Sequence, residues 1–108
     1  MPNKLTSVTD RIHVLLQELE SGRVPDRARL EHTLTDGYAW ALKLDGECSR
    51  LERRLSELAA VLGRDGGDEH THELARVSRR LTRRRRDLAD LRELLNALRA
   101  GRTQARVA

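Results

Sequence analysis

Residues 26–62 read DRARLEHTLTDGYAWALKLDGECSRLERRLSELAAVL, and one rhythm runs through them. Leu30, Leu34, Gly37, Ala41, Leu44, Cys48, Leu51, Leu55, Leu58 and Leu62 stand four and three apart in strict alternation. In an α-helix that spacing lines one side with apolar or small groups, the a/d seam of a heptad repeat. Two Asp-Gly pairs, Asp36-Gly37 and Asp45-Gly46, lie inside the stretch, and either alone would read as a turn. The heptad phase is the same before and after both, whereas a turn would shift it. One continuous helix over about 26–62 is expected, with Pro25 opening it and Asp26 in its first turn.

The stretch Gly63-Arg64-Asp65-Gly66-Gly67 is the clearest turn in the chain. Beyond it Asp68 is the expected N-cap of a second long helix. Leu74, Val77, Leu81, Arg84, Leu88, Leu91, Leu95 and Leu98 again step by threes and fours, up to a stop expected at Gly101. Residues 101–108 are expected to be a disordered tail. Two long helices joined by a short turn lie antiparallel. With Gly66 at the centre of the turn, facing residues have numbers that sum to about 132, which sets Leu58 on Leu74, Leu55 on Val77, Leu51 on Leu81, Leu44 on Leu88 and Gly37 on Leu95. Small residues then oppose large ones, as close packing requires.

The flanking positions extend this register. It sets Asp45 across from Arg85, Glu31 across from Arg99 and Tyr38 across from Arg92, all attractive pairs. On the other flank it sets Arg54 across from Arg80 and Glu47 across from Asp87, both repulsive, and a second copy bringing opposite charges alongside would relieve them.

Ahead of the hairpin, Leu5, Val8, Ile12, Leu15, Leu16 and Leu19 form one apolar face of a helix over about 6–20, with Ser7 or Thr9 as N-cap and Ser21-Gly22 as its end. Residues 1–5 read as a loose tail. This helix is expected to fold back onto Trp40, Leu94, Gly37 and Ala41. The expected architecture is all-α: a long antiparallel two-helix coiled-coil hairpin with a short N-terminal helix packed on it, a three-helix bundle at one end. Residues of about 45–85 would extend from it as an arm of about 27 Å at 1.5 Å per residue. In that arm, Leu51→Ala or Leu55→Ala is expected to cost about 2–5 kcal/mol, and Leu5→Ala far less.

Composition agrees with this architecture. Only 38% of the 108 residues are apolar, 2% are aromatic and 35% are charged, too little to fill a compact spherical core but enough for narrow stripes. The net charge of +4 and pI of about 10.2 suit a nucleic-acid, anionic-membrane or acidic-protein partner. The single cysteine, Cys48, rules out an intrachain disulfide. With no apolar leader in residues 1–20 and no membrane-length apolar run, the expected location is the cytoplasm, off the membrane.

Function is less legible than shape. The strongest feature is RVSRRLTRRRR, residues 76–86, with seven arginines and no acid. Arg76, Arg79, Arg83 and Arg86 fall at the outward c and f positions, where guanidiniums are placed to contact phosphates. The plainer reading is a solvated face, and no helix-turn-helix, zinc-finger or RNA-recognition signature accompanies the row. Arg84 lies on the seam opposite Cys48, where it is either a register device, a contact for a partner helix or a side chain that snorkels outward. Tyr38 and Trp40 either anchor the first helix or serve, with Arg84, as a partner-binding spot. Cys48 has no histidine at a helical neighbour position to activate it and reads as a small core residue. His70 and His72 are two apart and do not share a helix face, so no metal site is expected. No P-loop, dinucleotide fingerprint or triad pattern is present, and no cofactor or small-molecule substrate is implied. The chain reads as a non-enzymatic interaction or adaptor module whose partner is another protein or a second copy. The alternative is a nucleic-acid-binding protein that uses the arginine row.

Overall fold

The structure, a computed structural model, describes residues 4–107. Three α-helices follow one another: α1 Lys4–Glu20, α2 Arg27–Asp65 and α3 Asp68–Val107, with no strand among the described residues. The expected all-α fold is present, and both Asp-Gly pairs lie inside an unbroken α2.

The helix ends show which local signals won. α1 begins at Lys4, so Leu5 is helical rather than tail, and residues 1–3 of the expected tail lie outside the described residues. Ser7 and Thr9 are interior, not caps, and the Thr9 hydroxyl donates to the Leu5 carbonyl at 2.9 Å. At the other end Gly22 takes φ +78°, with Gly22 N–H donating to Leu19 O and Arg23 N–H donating to Glu18 O. That pair of bonds is a Schellman cap, and the left-handed φ is what makes glycine fit there. α2 starts one residue later than expected. Asp26 is its N-cap, its carboxylate accepting from Arg29 N–H at 3.3 Å and its carbonyl accepting from Leu30 N–H.

α2 runs past Gly63 to Asp65, and Gly66 and Gly67, at φ +64° and +128°, make the turn. The Gly67 carbonyl accepts from Thr71 N–H at 3.1 Å, so Gly67 rather than Asp68 occupies the cap position. Asp68 and Glu69 instead sit in the first turn of α3, where the helix dipole favours them. α3 does not stop at Gly101 but continues to Val107, so the expected disordered tail is helical through that residue. The reason is a close approach. A Cβ at Gly101 would lie 2.6 Å from Leu19 Cδ1, so this glycine is a hollow that receives α1, not a terminator.

The chain forms two compact units, Met1–Leu42 with Ala89–Ala108, and Lys43–Leu88. In the first, α1 runs antiparallel to α2, tied by Arg11–Asp36 at 2.8 Å and Arg29–Glu18 at 2.5 Å. Val8, Ile12 and Leu15 of α1 are buried together with Leu30, Leu34, Leu91, Leu95 and Leu98. The expected facing of Gly37 and Leu95 is met closely: a Cβ at Gly37 would lie 2.5 Å from Leu95 Cδ2. Glycine here is the residue that lets α3 seat its leucine against the α2 backbone.

One polar group stands alone in this unit. Thr33 is 1% exposed and its hydroxyl has no hydrogen-bond partner among the described residues. A buried, unsatisfied hydroxyl is costly, and a methyl of similar size removes the penalty. Thr33→Val is therefore expected to raise stability by about 1 kcal/mol in denaturant unfolding.

In the second unit the seam is closed less completely. Leu44, Cys48, Leu58, Leu81 and Leu88 are buried, but Leu51, Leu55, Leu62, Leu74 and Val77 are only half-buried. A pair of helices covers one side of each seam residue, and no third helix covers the rest within this unit.

Candidate functional site

The arginine block of α3 divides into two sets. Arg80, Arg84 and Arg85 turn to acids on α2, as does Arg54 of α2 to an acid on α3. Glu47 is the hub. Its Oε1 accepts from Arg80 Nη2 at 3.0 Å and from Arg84 Nε at 3.1 Å, while Arg84 Nη1 donates to Asp87 Oδ2 at 3.1 Å. Arg85 Nη2 reaches Glu52 at 2.9 Å. Arg54 reaches Glu73 through Nη2 at 2.6 Å and through Nε at 3.1 Å, with Glu57 at 3.3 Å.

These pairings correct the expected flanks. Arg54 does not face Arg80 unrelieved, nor Glu47 face Asp87. Glu47 pairs with Arg80, and Arg54 with Glu73, each seven residues or about two turns from the expected facing position, so these flanking residues meet at a different offset from the seam. Arg85 likewise pairs with Glu52 instead of Asp45, and Glu31 pairs with Arg102 at 2.8 Å instead of Arg99. The like-charge contacts that argued for a second copy are thus already neutralised within the chain.

Arg84 is the half-buried member of the set, and it reaches from the seam to Glu47 and Asp87. Burial raises the Glu47 carboxyl, but the hydrogen bonds and charges of Arg80 and Arg84 outweigh it and hold the group below its ordinary value of 4.5. Glu73 is lowered chiefly by its hydrogen bond from Arg54. A carboxylate lowered on folding adds stability above its unfolded pKa and loses it as pH falls through the folded value. Stability is therefore expected to fall from about pH 5 downward, and Glu47→Gln is expected to flatten that slope in unfolding midpoints measured across the range. Burial pushes the Cys48 thiol up, so Cys48 is a protonated core group, as its spacing implied.

The second set faces solvent. Arg76, Arg79, Arg83 and Arg86 are exposed, and none makes a hydrogen bond or ion pair among the described residues. The charge of Arg76 helps to lower the Glu73 carboxyl. The seam phase explains the division: e and g positions lie beside α2 and its acids, whereas c and f positions point away from it.

The aromatic candidates belong to the first unit. Trp40 is half-buried in an open groove of about 310 Å³, together with Ser7, Val8 and Arg11 of α1 and Asp36 and Ala39 of α2. It therefore lies at the edge where α1 docks, as expected. Tyr38 is 43% exposed and Leu42 is 75% exposed. Among the described residues no three His, Cys, Asp or Glu side chains cluster as metal ligands, and no helix is long and apolar enough to cross a membrane.

Spacing identified the outward arginines but not the Glu47 hub. Its signal was an acid beside the seam with arginines three and seven residues before its facing position, Asp87, which a strictly opposite pairing overlooks. No protein-family model matches this chain, and neither a curated protein nor a solved structure matches it.

Proposed function

We propose that the protein is a non-enzymatic helical interaction module that works from the Lys43–Leu88 unit. The observation that carries this reading is the contrast in burial along one seam. Leu95 and Leu98 of the first unit are 1% and 0% exposed; in the second, Leu44 and Leu58 are as closely buried, but Leu51, Leu55, Leu62, Leu74 and Val77 stay partly exposed. Half-open apolar groups gain about 25 cal/mol per Å² when a further helix covers them. A second copy presenting the same leucines is the simplest cover, since an isologous contact needs only one self-complementary patch.

Light scattering of the intact protein over a concentration series tests this. A mass that rises toward twice the monomer's, and returns to the monomer's in Leu51→Ser or Leu74→Ser, is expected. A constant monomer mass at every concentration removes self-pairing from the reading.

A further inference from the structure

We infer that the outward face of α3 in the Lys43–Leu88 unit docks on the phosphate backbone of double-stranded DNA, through Arg76, Arg79, Arg83 and Arg86. The inference names a partner for the interaction module proposed above and rests on that reading only in placing recognition in this unit.

The unit contains acids enough to quench many of its arginines, and the structure gives them to Arg54, Arg80, Arg84 and Arg85. Seven remain: Arg50, Arg53 and Arg64 on α2, and Arg76, Arg79, Arg83 and Arg86, which form one row on α3 turned away from the α2 acids and have no hydrogen bond or ion pair among the described residues. A merely solvated face would be served by mixed charges. This one is purely cationic from residue 76 to residue 86.

Steps of three, four and three residues keep the four side chains on one stripe, and the stripe is about 15 Å long at 1.5 Å per residue. Counting both strands, B-form DNA carries a phosphate about every 1.7 Å of axis, so a stripe of this length lies within reach of several phosphates, and each guanidinium is able to hold two oxygens at once.

The chain's only aromatic residues, Tyr38 and Trp40, lie outside this unit, so nothing here stacks on unpaired bases as single-strand binders require. A bare helix fits the B-form major groove, about 12 Å wide, and not the narrow A-form one of duplex RNA. The four arginines are assigned to phosphates, which carry no sequence information, so binding is independent of sequence.

The test is fluorescence anisotropy of the intact protein with a labelled DNA duplex of arbitrary sequence, a single strand of the same sequence, and an RNA duplex. Wild-type protein is expected to bind duplex DNA most tightly. Its affinity should fall about 100-fold between about 50 and 200 mM salt, the slope of four released counterions. Replacing Arg76, Arg79, Arg83 and Arg86 together by Ser should remove that binding and leave the helical circular dichroism unchanged. Replacing Arg23, Arg27, Arg50 and Arg53 by Ser takes away the same charge from exposed positions off the row and should leave binding in place.

No binding by wild type at about 50 mM salt overturns the inference. So does equal loss in both variants, which would reduce the effect to net charge, or equal affinity for the single strand or the RNA duplex. A monomer that binds duplex DNA through the row would remove self-pairing and leave this inference standing. A dimer that ignores DNA would do the reverse.

Discussion

Leu98→Ala is expected to cost about 3–5 kcal/mol of folding free energy, the upper part of the range for a buried leucine. Leu98 is 0% exposed and belongs to a cluster with Ile12, Leu15, Leu34 and Leu95 that has almost no contact with water. Removing its isobutyl group loses the transfer free energy and leaves a cavity, because helices on several sides hold the walls apart. For a chain of 108 residues that is a large share of a total stability of about 5–15 kcal/mol. Leu51→Ala or Leu55→Ala removes the same atoms from a half-open site, where water already reaches them. About 1–3 kcal/mol is expected there, below the value their seam position alone suggests. Urea unfolding followed by circular dichroism reads both effects. Equal losses at Leu98 and Leu51 would contradict the burial contrast between the two units.

Gly37→Val is expected to cost about 2–3 kcal/mol, against the direction of helix propensity. A Cβ at residue 37 would lie 2.5 Å from Leu95 Cδ2, and Leu95 is 1% exposed, so its side chain has no room to retreat. In the Leu95→Ala background the same valine enters the vacated space and is expected to restore stability, a coupling of more than about 1 kcal/mol between the two sites. The other helical glycines of α2 supply the contrast. A Cβ at Gly63 meets nothing within 4 Å, and one at Gly46 meets only the end of the flexible Arg50 side chain at 3.5 Å. Gly63→Ala and Gly46→Ala are therefore expected to gain up to about 1 kcal/mol each, because alanine is the better helix former and nothing resists it.

These glycines also mark how far the sequence is readable. The seam passes through Gly37 and Gly46 without a change of phase, and periodicity alone fixed α2 as one helix, because a helical repeat is an intrinsic property of the chain. Gly101 looked like a stop by the same local rule that correctly ended α1 at Gly22. A glycine that ends a helix and a glycine that admits a neighbour are identical letters. Only the position of Leu19 separates them, and that is tertiary information. The ion pairs follow the same lesson. The arithmetic of facing residues set Arg54 on Arg80 and Glu47 on Asp87, yet Arg54 pairs with Glu73 and Glu47 with Arg80, each seven residues or about two turns away, because flanking residues meet at a different offset from the seam. The outward arginines were legible because facing away from a partner helix depends on phase alone.

The register of α2 against α3 decides which arginines are quenched and which remain outward. The most direct measurement is a set of methyl-to-methyl contacts by NMR in leucine-labelled protein. Cross-peaks joining Leu44 with Leu88, Leu51 with Leu81 and Leu58 with Leu74 are predicted. Cross-peaks joining Leu44 with Leu81, or Leu51 with Leu88, would show a slip of one heptad and contradict both the packing and the division of the arginines.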